Sequence, residues 1–173
     1  MIVIVAGVAG SGKTSVGRQL ARELDCRYAD ADSFHPLANV AKMRAGVPLT
    51  DEDRAPWLRA IGAWMDGVIE AGESAVVTCS ALKRAYRDEL LAGHPTATMV
   101  FLMVTKDVLV QRLTARHGHF FPEKLLDSQL ETLEPPAPDE RVLTVPADGD
   151  PAHTVAEIVE RLRTDGAPAG GDA

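Results

Sequence analysis

A doubly wound α/β fold with a mainly parallel sheet follows from three features of this sequence. A β-branched run, Ile2-Val3-Ile4-Val5, leads into a glycine-rich loop and then into a segment of helical period. Further short apolar runs alternate with helical segments along the whole chain. The residues able to do chemistry gather where those runs end, the rim at which open parallel sheets bind ligands. There are no internal repeats and no domain linker.

The first strand covers about residues 2–6. A helix runs from Lys13 to about Leu24, with Val16, Leu20, Ala21 and Leu24 as its core face. Arg27-Tyr28-Ala29-Asp30 reads as the second strand. Residues 37–45 read as a short helix stopped by Gly46. Residues 48–53 read as a turn, with Thr50 or Asp51 as the cap of a helix over about 54–71. The third strand spans about 74–79, followed by a helix over about 84–91. The fourth covers about 99–104, with helices over about 106–116 and 123–132 after it. Pro135-Pro136-Ala137-Pro138 breaks the pattern before a fifth strand at about 141–145 and a last helix at about 151–163. A single domain is expected over residues 1–164, and the Gly/Ala/Pro/Asp-rich tail, 165–173, is expected to be disordered.

Length and composition narrow the function. A chain of 173 residues suits one domain with a well-buried core. No apolar run approaches a membrane span, and the N-terminal run is too short for a secretory signal, so a cytoplasmic location without membrane association is expected. Cys26 and Cys79 lack metal-ligand spacing and read as reduced thiols. The net charge of −7 argues against nucleic-acid binding. An anionic ligand must therefore be met by locally gathered cations, drawn from Lys13, Lys42, Arg44, Arg54, Lys83, Arg84, Arg87, Arg112 and Arg116.

Gly7-Val8-Ala9-Gly10-Ser11-Gly12-Lys13-Thr14 is G-x-x-x-x-G-K-T between strand and helix, a phosphate-binding loop. Its glycines let successive N–H groups converge on an anion, and the helix starting near Ser15 adds its positive end. Lys13 can reach the β- and γ-phosphates of a nucleoside triphosphate, and the Thr14 hydroxyl can ligate Mg²⁺.

Asp30 and Asp32 follow the second strand. On an extended segment, residues two apart face the same way. Phosphoryl transfer to an alcohol needs one carboxylate near the metal and another to accept the hydroxyl proton. The third strand, Ala75-Val76-Val77-Thr78-Cys79, ends without an acid, so Asp30 is the metal-side candidate and Asp32 the base. Arg112 and Arg116 share a helix face, next to a glycine-containing stretch expected to form a lid over about 112–124. Trp57 and Trp64 share a face and read as core, Trp57 the less certainly so, leaving it a candidate sugar platform. His35 and His119 lie at expected cleft edges.

Asp30-Ala31-Asp32-Ser33-Phe34-His35-Pro36, Asn39, Lys42-Met43 and the stretch from Gly46 to Leu58 resemble the small phosphate-loop gluconokinases. The run Cys79-Ser80-Ala81-Leu82-Lys83-Arg84-Ala85-Tyr86-Arg87-Asp88 does too, as do residues 112–121 and 129–136. The resemblance covers the chain to about residue 163. It implies a P-loop NTPase fold with a five-stranded parallel sheet in the order 2-3-1-4-5 and an acceptor-binding insertion over about 33–72. It also implies transfer of phosphate from ATP, with Mg²⁺, to the 6-hydroxyl of D-gluconate. In that reading Gly7 to Ser15 hold the nucleotide, Arg112 stacks on adenine and Arg116 reaches the transferring phosphate. Lys83, Arg54, Arg87 and Lys42 form the pool of cations for the gluconate carboxylate, Lys83 and Arg54 first among them. Asp32, His35, Asn39 and His119 are the candidates for its hydroxyls. Family members are often homodimers, and that too is an expectation here.

Overall fold

The computed structural model describes residues 1–117 and 123–165, without the side chains of 116, 117, 123–125 and 165. Its strands β1 (Ile2–Ala6), β2 (Arg27–Asp30), β3 (Ala75–Cys79), β4 (Ala97–Met103) and β5 (Val142–Pro146) form one parallel sheet in the order β2-β3-β1-β4-β5. The order agrees with the expectation. β1 lies at the centre, with Ile2 paired to Ala75 on one side and to Ala97 on the other. Its residues are buried on both faces, as in parallel sheets covered by helices.

The period of two divides the strand residues between two cores. Ile2, Ile4, Val77 and Met99 face α3 (Asp51–Glu70) and α4 (Arg84–Ala92), meeting Trp57, Ile61, Met65 and Leu90. Val3, Val5, Val76 and Val100 face α1 (Lys13–Glu23) and α7 (Pro151–Asp165), meeting Val16, Leu20, Val155 and Ile158. α1 lies very close to the sheet because Gly17 has no side chain. A Cβ there would stand 2.5 Å from Thr78 Cγ2 and 3.2 Å from Tyr28 Cε2. A third cluster, Val8, Leu82, Leu109, Leu113 and Leu126, packs α5 (Lys106–His117) and α6 (Glu123–Thr132) against the glycine-rich loop.

Several boundaries differ from expectation for local reasons. α3 begins at Asp51, inside the expected turn, because Thr50 and Asp53 close a capping box: Asp53 N donates to Thr50 Oγ1 at 3.2 Å, and Thr50 N to Asp53 Oδ2 at 3.0 Å. β4 starts at Ala97, extended by its pairing with Ile2. α2 (Leu37–Arg44) stops one residue early. α7 runs past its expected end near Arg163 to Asp165, the first residue of the expected tail; residues 166–173 lie outside those described.

Arg87 is a correction. It stood among the candidate substrate cations, but its side chain is 0% exposed and faces Glu140, whose side chain is 2% exposed. Arg87 Nε and Nη2 donate to the two Glu140 oxygens at 2.7 and 2.9 Å, while Nη1 donates to the carbonyls of Ala81 and Leu82 at 3.3 and 3.0 Å. The guanidinium is committed to this fork and holds the Glu140 carboxyl below its ordinary value. It staples the segment before β5 to α4 and has no reach toward a substrate.

Removing one partner strands a buried charge. Arg87→Met should cost about 3–5 kcal/mol in urea unfolding, and the double variant Arg87→Met/Glu140→Leu should recover most of that loss. Equal stability of the single variant and wild type would contradict the assignment.

Candidate active site

The site grows from the loop between β1 and α1. Gly7 and Gly10 adopt φ 149° and 80°, in the region that disfavours side chains. A Cβ on Gly7 would sit 2.8 Å from Ser11 Oγ, and one on Gly10 would sit 2.9 Å from Leu113 Cγ. The turn is closed by Ser11 N donating to Val8 O at 3.2 Å. Lys13 folds back over it, its Nζ donating to the same Val8 carbonyl at 2.9 Å. Desolvation lowers the Lys13 pKa from the ordinary lysine value, while the charges of Asp32 and Asp30 pull it back. α1 carries no acid in its first turn, so nothing there offsets the pull of its N–H groups and dipole on an anion. Thr14 and Ser15 present exposed side chains in that turn.

One observation tests whether this loop suits a phosphate group. Ser11 Oγ is enclosed and has no hydrogen-bond partner among the described residues. A buried hydroxyl without a partner is costly, and an anion in the cradle would supply one. For Mg²⁺ the donors are a hydroxyl and nearby carboxylates. No group of three or more His, Cys, Asp or Glu side chains suited to a metal occurs among the described residues. The Thr14 hydroxyl and a nearby carboxylate match the one or two protein ligands that Mg²⁺ takes beside phosphate oxygens and water.

The carboxylate pair is arranged differently from expectation. Asp30 ends β2, but Ala31–Phe34 form a 3-10 turn, so the two acids do not share an extended face. Instead Asp30 Oδ1 accepts from Asp32 N at 3.2 Å and caps the turn. The cap holds Asp32, which is exposed, in place beyond the strand end. Cys79, at the end of β3, is buried and its thiol is pushed up to about 12, so a neutral S–H stands where β3 lacks an acid.

The other half of the site rests on α3. Trp57 is a second correction. It is 0% exposed and belongs to the core, so it offers no platform to a sugar. Its Nε1 donates to Ala31 O at 2.7 Å, and its ring stacks on His35 with centroids 4.5 Å apart. It therefore supports both the turn carrying Asp32 and the His35 ring. Asn39 Nδ2 donates to Asp53 O at 2.7 Å and faces His35 Nδ1 at 3.3 Å. Since that amide can only donate, Nδ1 accepts and the imidazole proton lies on Nε2.

The candidate cations separate clearly. Lys42 Nζ donates to both Asp53 oxygens at 2.7 Å. Lys83 Nζ donates to both Asp51 oxygens at 2.8 and 2.9 Å, and the Tyr86 hydroxyl also donates to Asp51. Arg54 is half-buried, with its guanidinium 5.8 Å from the centroid of the Tyr86 ring. No carboxylate pairs with it among the described residues. His35, Asp51, Cys79 and Tyr86 all feel its charge beside the larger effects of burial and hydrogen bonding, which places it in the middle of this cluster.

Arg112 joins the loop from the far side. Nη1 donates to Ser11 O at 3.3 Å, and Nη2 donates to the carbonyls of Ala147, Asp148 and Gly149 at 2.8, 3.0 and 3.1 Å. It ties the phosphate loop to the segment after β5. The side chain of Arg116 and residues 118–122 of the expected lid, His119 among them, lie outside the described residues. Sequence reasoning missed Gln129, whose Oε1 accepts from Ala9 N at 2.7 Å. A signal was present: Gln129 is a polar residue in the helical stripe Leu126, Leu130, Leu133. Asp51 and Asp53 were read as turn residues, and their claim on the two lysines was missed with them.

Comparison with known proteins is consistent with this geometry. The family model described as shikimate kinase matches residues 9–163. A protein of Xenopus tropicalis named probable gluconokinase is 43% identical, with 91% of each chain covered. A gluconokinase of Gluconobacter oxydans is 42% identical over 94% of this chain and 92% of its own. The solved structure of a gluconokinase from Sinorhizobium meliloti superposes with a TM-score of 0.81 at 40% identity, covering 95% of this chain and 97% of that one.

The enclosed His35 yields a pH prediction. Burial is the main force lowering its pKa from the ordinary 6.5; Asp32 opposes and Arg54 adds to the shift. Below 6.5 the unfolded chain takes up a proton before the folded chain does. Its stabilisation is therefore complete above that value and is lost as the pH falls through the window beneath it. His35→Gln should lose less thermal stability than wild type between about pH 7 and pH 5 in calorimetry. Parallel curves would contradict the assignment.

Proposed function

Since the chain belongs to the shikimate kinase family and groups with its gluconokinases, we propose that it transfers the γ-phosphoryl group of ATP to the 6-hydroxyl of D-gluconate. The observation that carries this reading is the meeting of the two halves. Asp32 is the foremost charge acting on Lys13 at the loop, while Arg54 stands nearby with no carboxylate partner among the described residues.

The roles follow from the geometry. The loop N–H groups from Gly7 to Ser15 and the Ser11 hydroxyl hold the phosphates. Lys13 leaves the neutral Val8 carbonyl for phosphate oxygens, an exchange favoured by charge. Asp32 takes the proton of the 6-hydroxyl as that oxygen attacks the γ-phosphorus, the bond to the bridging oxygen breaks and ADP leaves. Thr14, and Asp30 directly or through water, would hold Mg²⁺, which would supply charge neutralisation at the phosphates. Arg116, one helical turn beyond Arg112, is assigned to the transferring group.

Arg54 is the better supported partner for the gluconate carboxylate, because Lys83 and Lys42 are already neutralised by Asp51 and Asp53. His35 Nε2–H and Asn39 are assigned to the hydroxyl chain. No described helix is long and apolar enough to cross a membrane. With ATP as donor, the reading carries a cytoplasmic location, and a homodimer remains part of it by family likeness.

An acceptor panel of D-gluconate, shikimate, glycerate, glucose and AMP with Mg²⁺ and ATP tests the reading. Gluconate should be preferred, and no gluconate-dependent ADP release would sink it. Asp32→Asn should keep ATP binding and lose about two to four orders of magnitude in kcat. Arg54→Met should raise KM for gluconate roughly 10- to 100-fold, leaving KM for ATP near that of wild type, as expected for loss of a charged hydrogen bond. An unchanged gluconate KM would return the carboxylate to Lys83.

A further inference from the structure

The Val8–Ala9 peptide is gripped at both ends. Its N–H donates to Gln129 Oε1 at 2.7 Å, across 120 positions of sequence. Its carbonyl, on the opposite side of the same rigid plane, accepts from Lys13 Nζ at 2.9 Å and from Ser11 N at 3.2 Å. The glycines at 7 and 10 make the flanking backbone soft. What holds the plane is thus a side chain from α6 outside the loop.

Gln129 is well placed for that task. It lies within the apolar stripe that packs α6 against the loop, where Val8, Leu113 and Leu126 form one cluster with Leu130. Among apolar neighbours a hydrogen bond is strong and its loss expensive, so the peptide stays in one orientation while Gln129 is present. We infer that Gln129 is a positioning residue of the phosphoryl transfer: by fixing the Val8–Ala9 peptide it fixes the carbonyl that parks Lys13 beside the phosphate site. The part concerning transfer rests on the kinase reading above, whereas the part concerning the peptide does not.

Gln129→Leu removes the acceptor at similar volume, and Gln129→Glu retains one. In the full chain, Gln129→Leu should speed hydrogen exchange at the Ala9 amide, followed by NMR. It should weaken binding of AMP-PNP with Mg²⁺ and lower kcat about 10- to 100-fold, with KM for gluconate unchanged. Gln129→Glu should restore slow Ala9 exchange and most of kcat. Wild-type kcat in Gln129→Leu despite fast Ala9 exchange would overturn the positioning role. So would equal loss of kcat in both variants together with equal loss of thermal stability, the mark of a merely structural residue. If the wild-type chain failed to phosphorylate gluconate, the acceptor assignment would fall. Ala9 exchange and AMP-PNP affinity would still decide this inference, unchanged values in Gln129→Leu overturning it.

Discussion

The depth at which α1 lies on the sheet governs everything at the rim. Gly17 allows the helix to settle where even a methyl group would collide with Thr78. That depth sets where Lys13, one turn earlier, stands relative to Cys79 and Asp32. Tyr28 and Thr78, which flank Gly17, are themselves joined by a hydrogen bond of 3.1 Å between their hydroxyls. The floor on which the helix rests is therefore braced across β2 and β3. A phosphate loop is flexible by composition, and its precision comes from the packing around it: sheet below, α5 and α6 to the side.

The two halves of the site are built by different means. The donor half is mostly backbone, with N–H groups and glycine geometry. The acceptor half is side chains held by other side chains. α3 supplies its frame: the Thr50–Asp53 capping box starts the helix, Asp53 and Asp51 secure Lys42 and Lys83, and Trp57 carries Ala31 and His35. Acids in the first turn of a helix are favourable in themselves, and here they also neutralise two cations. With Lys42 and Lys83 neutralised, Arg54 is the cation of this cluster left without a carboxylate partner among the described residues, which favours an anionic acceptor over a neutral one.

Much of this was legible in the residues. The glycine-rich loop, the alternation of strands and helices and the rim position of Asp30 and Asp32 rest on local patterns of short range. What could not be read were choices between partners. Arg87 and Arg54 look alike in sequence, yet one meets Glu140 in the core and the other pairs with no acid among the described residues. That difference is decided by a residue 53 positions away. The 3-10 turn at Ala31–Phe34 was likewise hidden, because a single carboxylate cap and one indole N–H were enough to bend a segment that looked extended. Gln129 was visible only as an oddity in an apolar stripe, since its partner is a main-chain group that no side-chain pattern marks.

Cys79 gives the rim a built-in chemical clock. With its thiol pushed up to about 12 by burial, the buried sulfur stays protonated near neutral pH. Alkylating reagents must wait for the strand end to open, so their rate measures that opening rather than intrinsic reactivity. Cys26, half-buried just before β2, lies at the opposite end of the sheet from the rim and serves as the more accessible internal reference. A ligand that tightens the cradle around Lys13 would slow the first thiol and leave the second alone. Occupancy of the site can then be followed through a sulfur atom that takes no part in the chemistry.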